Sequence, residues 1–493
     1  MRHAVITTLG AAAISIASAG ATRPLAAQAA SPAARPSAYT LAEAISLAER
    51  NNPAHLTTVD RRGVATWQRR SAYGAFLPSV SASFGSQYRE GLQQLIAGQR
   101  FGAASDQISS SYDIGVQAQY NASTLMSPKL QSANVRAADA AVAGSAQRLR
   151  TAVTQQYLNV LQQRARAAMQ DTLLASARAQ LTLARARAEG GAVTQLDVKK
   201  AEVAVGTQEV ALVQAANQAE IEMLRLFQQM GMSRPAGAEL TSTFTMDDSV
   251  PSLERLLALG RRANPTLEEM RSRESAAQLG FRSAQSQYTP TLSIATGLGG
   301  YTNQYTDKGF VLGQTTDSKQ QRCIANAGDD PAAVEACRAV TLTPQESADA
   351  LAENRQFPFR FARNPFSLGA QLSIPIFNGF QREQRLEEAA VARNEARYNE
   401  RAQELQLETD ITAGYLNVIA ARRTVVLQEG NVSAAREAMR FAQERYRVGL
   451  NTFVDVAQAR ADRETAENAR IAAVYDYHRA VAGLEGAVGV RIR

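Results

Sequence analysis

The sequence predicts a mixed α and membrane-β fold, built from long antiparallel coiled-coil helical hairpins and amphipathic strands, with the whole arrangement duplicated. Three observations predict it. They are an internal repeat, heptads of apolar residues over two long segments, and four segments in which apolar and polar residues alternate. Only 6% of the 493 residues are aromatic, which favours closely packed long helices over a thick globular core.

The duplication appears as a run of residues repeated at a constant spacing. Residues 157–160, Tyr-Leu-Asn-Val, recur at 415–418, which is 258 residues later. Upstream, Asn52-Pro53 recurs as Asn264-Pro265 after only 212 residues, so the second copy contains 46 additional residues. These fall within a polar stretch of about 301–364, which predicts a loop insertion outside the core.

The repeats define the predicted domain boundaries. Residues 1–29 are typical of a secretory signal peptide, because Arg2 and His3 precede an apolar run that ends in an Ala-x-Ala cleavage site. The first repeat is predicted over 30–235 and the second over 252–493. Between them, Pro, Gly, Ser and Thr in residues 236–251 indicate a connection.

Each repeat is predicted to contain one long helical hairpin. Every seventh residue is apolar in the second copy, namely Ile411, Val418, Val425, Val432, Met439 and Tyr446. The equivalent positions of the first copy are apolar or small, which is typical of coiled-coil packing. We predict hairpins over 128–231 and 381–489.

Four alternating segments predict strands at about 79–90, 111–122, 290–301 and 366–377. One face of each is apolar, and the other carries Gly, Ser and Gln, as expected for a barrel with lipid outside and a polar lumen. An ordinary sheet on a soluble core is the alternative. No stretch after residue 29 reaches 18 apolar residues, the length that a membrane helix needs. Natural barrels have at least about eight strands, so four strands must be shared with other chains.

The sequence does not indicate catalysis or a cofactor. Its three histidines lack metal-ligand spacing, and we find neither a phosphate-binding loop nor a nucleophile elbow. The net charge is +7, and the basic residues are interleaved with acidic ones along the chain. This pattern favours a solvated surface over nucleic-acid binding. Cys323 and Cys337 are 14 residues apart in an exported chain, so we predict a disulfide rather than a metal site.

The ordered set of two hairpins, two strand pairs and a signal peptide resembles the TolC family of outer-membrane efflux channels. The tip run 446–456, Tyr-Arg-Val-Gly-Leu-Asn-Thr-x-x-Asp-Val, carries the same resemblance. It implies a homotrimer in the bacterial outer membrane, with a twelve-stranded barrel in lipid and an α-barrel tunnel through the periplasm. It also implies a passive outlet of a tripartite efflux or type I secretion system, partnered by a periplasmic adaptor (membrane fusion) protein and an inner-membrane pump.

The resemblance assigns roles to the turns between the long helices. Adaptor docking is expected at the tips, which contain Gly190, Gly191, Val448, Gly449 and Leu450. Glycine at a helix end has a structural explanation as well, because the left-handed conformation favours it.

The resemblance also implies a gate near the tips. An inward Asp455, with its repeat mate Asp197, would form an acidic ring in a trimer and favour cations. The alternative is that both acids complement a helix N-terminus. Tyr446 matches the tip tyrosine of the family but is also a heptad residue. Asn451 and Gln458 stand where relatives carry a basic gate partner and a second acid, so a double ring or a salt-bridge latch is not expected.

A second hypothesis is a periplasmic coiled-coil adaptor or structural protein without a pore. Such a protein would have one hairpin flanked by soluble β-domains, whereas this chain has two hairpins and strands of barrel length. The transported substrate is not specified by the sequence.

Overall fold

The computed structural model describes residues 38–91, 94–96, 99–101, 105–191, 193–246 and 251–492. The predicted signal peptide and residues 247–250 of the predicted connection lie outside the described residues. The described elements of the first repeat are β1 (Ala38–Tyr39), α1 (Leu41–Asn51), α2 (Pro53–Gly74), β2 (Ser79–Arg89), β3 (Gln94–Ile96), β4 (Gln99–Phe101), β5 (Gln107–Tyr120), α3 (Ala122–Glu189), α4 (Gln195–Gln229) and β6 (Glu239–Leu240).

The second repeat follows the same order, with additional elements in the insertion. Its described elements are α5 (Leu253–Ala263), α6 (Pro265–Gln285), a 3-10 turn (Ser286–Tyr288), β7 (Thr291–Tyr305), α7 (Lys308–Ala327), α8 (Pro331–Arg338), α9 (Pro344–Asn354), β8 (Ala362–Arg363), β9 (Ser367–Ser373), α10 (Gln381–Arg447) and α11 (Phe453–Val488). Each repeat therefore contributes two long strands and one hairpin of a long helix with a shorter return helix.

The two long helices, α3 and α10, contain 68 and 67 residues. At about 1.5 Å per residue, each extends roughly 100 Å. Most of their heptad positions are buried against the return helices, as the sequence predicted, whereas those near the tips, such as Ala188 and Tyr446, are half-buried. Among the described residues, no helix has both the length and the apolar character required to cross a membrane.

The start of α3 corrects the predicted hairpin boundary. The helix begins at Ala122 rather than 128, because the side chain of Asn121 accepts a hydrogen bond from Thr124 N at 2.9 Å and caps it. Pro128 is accommodated in the second turn. Its ring lacks the N–H that would bond to Thr124 O, so α3 loses one intrahelical hydrogen bond there.

In both repeats, an asparagine joins a return helix end to end with a shorter helix. Asn52 Oδ1 caps α2 by accepting from His55 N at 3.1 Å, while its Nδ2 donates to Gln229 O of α4 at 2.8 Å. In the second repeat, Asn264 caps α6 and donates to Ala487 O of α11 at 2.8 Å. The two asparagines therefore extend the hairpins toward the sheet as pseudo-continuous helices.

The connection between the repeats is held on the first hairpin. β6 pairs with β1 in parallel, and the buried hydroxyl of Tyr157 links the two segments. It donates to Tyr39 O at 2.8 Å and accepts from Ser242 N at 3.0 Å. The N-terminal segment and the connection are thus fixed at the middle of α3.

The four long strands form one antiparallel sheet in the order β2-β5-β7-β9, with β8 pairing with β7 beyond the end of β9. Its register aligns Ala82, Ile114 and Leu298 on one face and places Ser, Gly and Gln on the other. The outer edges of β2 and β9 have no strand partner within the described chain.

Three strand boundaries differ from those predicted. The second strand starts at Gln107 and the third ends at Tyr305, because residues 107–110 pair with 302–305 beyond the predicted limits. The fourth strand ends at Ser373 rather than 377. Pro375, two residues later, lacks the N–H that would extend the ladder.

The insertion is not a loop, which corrects the prediction made from its composition. It folds into α7, α8 and α9, and the Cys323–Cys337 disulfide joins the first two of these helices. Asp330-Pro331 and Thr343-Pro344 supply a cap followed by a first-turn proline. Those local start signals outweighed the polar composition on which the loop prediction depended.

Candidate functional site

Each hairpin turns through a glycine in the left-handed conformation. Gly191 has φ 69° and Gly449 has φ 80°, and the turn at Gly449 is closed by Leu450 N donating to Arg445 O at 2.8 Å. Gly190 has φ −80°, so glycine is not required there, and the second repeat has Val448 at that position. Val448 and Leu450 are exposed at the second tip.

The two tip aspartates close capping boxes at the starts of the return helices. Asp197 Oδ2 accepts from Thr194 N at 3.1 Å and from its hydroxyl at 2.9 Å. Asp455 makes the same pair of bonds with Thr452, at 2.8 and 2.9 Å. The backbone N–H of Thr452, and then its hydroxyl, lower the pKa of Asp455. Both carboxylates therefore act as helix caps, whatever second role they have.

The tip of the first hairpin packs on the tip of the second. The Arg187 guanidinium lies 5.6 Å from the centre of the Tyr446 ring and donates to Arg447 O. Burial, followed by the charge of Asp197, raises the pKa of Tyr446. The Phe453 ring also contacts the tyrosine edge-on, with ring centres 6.3 Å apart. The sequence placed Tyr446 at a heptad position, and the structure adds that it joins the two tips.

A groove of about 500 Å³ lies beside these contacts. It is lined on its apolar side by Leu183 and Ala184 of α3 and by Tyr446, Phe453 and Val456 of the second hairpin. The groove therefore lies between the two hairpins of one chain.

Asn451 and Gln458 are not bonded to the tip acid. Gln458 Nε2 donates to Asp462 Oδ1 at 2.9 Å along its own helix, and Asn451 is half-buried in the turn. In the part of the chain that the structure describes, neither hydrogen-bonds to Asp455.

Sequence reasoning missed a series of polar contacts that α11 makes with both helices of the first hairpin, α3 and α4. Gln170 and Gln208 both donate to Glu464, at 2.9 and 3.1 Å, while Arg479 donates to Asn159 at 2.7 Å. The heptad pattern did not reveal them, because it describes packing within a hairpin. The sequence feature that could have revealed them is the occurrence of Gln and Arg at helix positions that face the neighbouring hairpin.

The two faces of the sheet have opposite chemistry. The apolar face includes Val80, Phe84, Leu298 and Leu372, which are exposed in the single chain. On the other face, Asp113 is the one carboxylate carried by β2, β5, β7 and β9. An apolar outside and a polar inside are the two surfaces of a membrane barrel wall.

Comparisons with solved structures agree with this architecture. The outer membrane protein VceC from Vibrio cholerae superposes with a TM-score of 0.69 at 16% identity, covering 92% of this chain and 97% of VceC. The MtrE outer membrane channel of Neisseria gonorrhoeae, in its open state, gives 0.66 at 15% identity, with 92% and 89% covered. At such identities the likeness establishes the fold.

A sequence relative and a family model extend the comparison. The outer membrane efflux protein BepC of Brucella suis is 35% identical over 127 residues, which span 26% of this chain and 28% of BepC. The model of the outer membrane efflux protein family matches residues 44–232 and 342–490, which include both hairpins. The chain therefore belongs to the outer membrane efflux protein family, and is a bacterial outer-membrane protein with a periplasmic tunnel rather than an enzyme.

Proposed function

We propose that three copies of this chain form a passive exit duct that receives substrates from an inner-membrane pump through a periplasmic adaptor. The observation that carries the proposal is that each side of the chain leaves one helix surface and one strand edge unpaired. The unpaired surface and edge on one side of the chain are complementary to those on the opposite side of a second copy.

The helical surfaces illustrate this. Within the chain, the flank of α3 packs on α11, and Gln147 of that flank donates to Glu485 O at 3.3 Å. The equivalent flank of α10 carries Leu405, Ile419 and Val426, which are exposed. The repeat equivalent of α11 is α4. We therefore expect α10 of one copy to pack on α4 of the next.

The exposed surface of α4 has the composition that such packing requires. Leu196, Val203, Val210 and Leu224 are exposed and fall on one heptad register, with Asn217 at the remaining position. An apolar heptad stripe on a helix surface predicts another helix against it.

The sheet leads to the same arrangement. Lipid does not tolerate open strand edges, so the free edge of β9 requires the free edge of another copy's β2. Three copies would supply twelve strands, the number that the family resemblance implies. Substrates would then pass along the polar face of the sheet and the interior of the helical tunnel.

Docking of an adaptor at the tips is supported by exposed apolar residues at a polar end of the molecule. Val448 and Leu450 are 62% and 72% exposed, and the apolar groove beside Tyr446 is open to a partner helix. Single exposed apolar residues are common, but a pair at a turn next to a groove is typical of a docking surface.

The proposed gate is an acidic ring made by Asp455 of three copies. We expect Asp455→Asn to reduce the cation preference measured from the reversal potential of single channels in planar bilayers under a KCl gradient. Asp455 is also a helix cap, so Thr452→Ala is the matched control, since it weakens the cap and keeps the charge. Identical selectivity in Asp455→Asn and the unaltered protein would remove the ring from the proposal.

The rival function, a non-pore periplasmic adaptor, makes a different prediction for cell fractionation. A duct is recovered in outer membranes and remains a trimer in detergent. Recovery in the soluble periplasm as a monomer would overturn the duct.

A further inference from the structure

A segment at the end of the insertion crosses the apolar face of the sheet. Residues 354–364, which we call the aromatic hook, begin at the last residue of α9 and run back along β7. Asn354 pairs with Tyr305 through bonds of 2.8 and 2.9 Å, and Asn364 N donates to Gly299 O at 2.8 Å. Between these two points the hook leaves the edge of β7, and Pro358 O accepts from Ser110 Oγ of β5 at 2.6 Å.

The hook places aromatic rings on the apolar face. The rings of Phe361 and Tyr112 are 4.8 Å apart and nearly perpendicular, and Phe359 lies 6.4 Å from Phe84. Gly300 makes this crossing possible, because a Cβ there would lie 2.7 Å from the Tyr112 ring and 2.8 Å from Ala362 O. Phe359 remains 73% exposed.

The hook also places a positive charge on the same face. Arg363 lies directly opposite Gly300 in the antiparallel register, and opposite residues of such a pair project to one face. Gly300 shares the apolar face with Ile114 and Leu298. An arginine at the centre of a lipid-facing surface is costly, but near the membrane boundary the cost is small.

The position of Arg363 along the strand agrees with the membrane boundary. Gly300 is nine residues beyond Thr291, the first residue of β7. At about 3.3 Å per residue and a tilt of about 40°, this corresponds to a height of roughly 23 Å. The apolar band of such barrels is about 25 Å tall, so Arg363 and the hook aromatics lie at its far edge.

The far edge is the outer one in a protein whose helices extend into the periplasm. Two further arginines, Arg355 and Arg360, belong to the hook and are exposed. Arg360 Nη1 donates to Ala352 O at 3.2 Å. Within the described ranges of the chain, none of the three hook arginines forms an ion pair with a carboxylate.

From this arrangement we infer that the aromatic hook is a binding site for a phosphate-bearing anionic lipid of the outer leaflet. Phe359 and Phe361 contact the upper acyl chains, and the Arg363 guanidinium binds a headgroup phosphate through two parallel N–H donors. Aromatic rings beside cationic side chains are the combination that a membrane interface selects. The inference rests on the orientation given by the proposed function.

The test uses the full-length protein in detergent and native mass spectrometry with diphosphorylated lipid A as the probe, compared with the dephosphorylated lipid. We expect the unaltered protein to retain the phosphorylated lipid several-fold more than the neutral one. Arg363→Gln should reduce that preference several-fold. Arg322→Gln, which removes the same charge from α7 elsewhere in the insertion, is the matched control and should leave it unchanged.

Two results would overturn the inference. One is equal retention of phosphorylated and neutral lipid by the unaltered protein, and the other is an unchanged preference in Arg363→Gln. Folding of each variant is checked by its oligomeric mass in the same spectra. Single-channel conductance separates this inference from the proposed function, because loss of the lipid site leaves a conducting duct, whereas an incorrect duct assignment leaves no conductance in any variant.

Discussion

The two long helices have the same buried core but different flanks. Val160 of α3 and its equivalent Val418 of α10 are both fully buried. Two residues earlier, Leu158 is 1% exposed and its equivalent Leu416 is 59% exposed. The same residue type at equivalent positions therefore has opposite environments, because α3 has neighbours on both sides within the chain and α10 does not. The duplication therefore produced two equivalent hairpins, but only the long helix of the first hairpin has both flanks covered within one chain.

The largest expected effect comes from a charge at the open flank. Leu416→Asp should leave the hairpin folded, because the position is exposed in one chain, but should abolish assembly by burying an unpaired carboxylate between copies. Light scattering in detergent would report monomers in place of trimers.

Two further variants make this comparison interpretable. Thr172→Asp introduces the same charge at a position that is exposed in both repeats, so trimers should persist. Leu158→Asp should prevent folding of the chain itself. Trimers formed by Leu416→Asp would contradict the proposed packing of α10 on α4.

A second prediction compares the two glycines that follow the return helices. Gly231 and Gly489 have φ values of 71° and 90°. An added Cβ would lie 2.3 Å from Asn51 O at the first and 2.8 Å from Pro265 at the second. Left-handed strain and these close approaches should destabilise Gly231→Ala and Gly489→Ala by roughly 2 kcal/mol or more, with the larger loss at Gly231.

The temperature at which the trimer dissociates on gels measures this effect. Gly190→Ala is the control, because its φ is negative and its added Cβ would meet only ordinary contacts at 3.7 Å. We expect it to change stability by no more than about 0.5 kcal/mol. Equal effects of the three substitutions would contradict the end-to-end packing of the helices.

The smallest expected effect concerns the insertion, which only the second repeat has. Hydrogen bonds from Lys319 and then from the Thr343 cap lower the pKa of Glu346 from 4.5 to about 2. A depressed carboxyl pKa stabilises the folded state above the unfolded pKa. Protection of the insertion should therefore be complete above about pH 4.5 and decrease as the pH falls toward about 2.

Hydrogen exchange of residues 308–354 across this range would measure the loss. Lys319→Gln should flatten the pH dependence, since it removes the strongest cause of the lowered pKa. Comparing Lys319→Gln with the unaltered protein at each pH cancels the intrinsic pH dependence of exchange. An unchanged profile in Lys319→Gln would show that the ion pair does not hold the three helices together.

The sequence predicted those helices and strands that a single periodic pattern or a single capping residue defines. The heptads predicted both hairpins, and alternation predicted the four long strands to within a few residues. The helices of the insertion were missed because they are short and polar on most sides. Their sequences therefore lack the periodic apolar pattern from which a helix is predicted. Their start signals lie in single residue pairs, such as the capping box of Thr343 with Glu346, and not in a periodic pattern.

At the tips, the sequence offered two roles for Asp197 and Asp455 and could not choose between them. The structure shows both in capping boxes, a contact between residues three apart that local sequence encodes. Contacts between hairpins could not be predicted in this way. Arg187 and Tyr446, or Gln170 and Glu464, are brought together only when two helices align over tens of residues.

The sequence by itself determined the duplication, the coiled-coil hairpins and the two-faced strands, because each depends on interactions within one element or between neighbours along the chain. Tertiary structure alone decided which flank each repeat leaves open and how the aromatic hook crosses β7. Those features depend on the relative placement of segments far apart in sequence, which is set by the whole packing rather than by any local period.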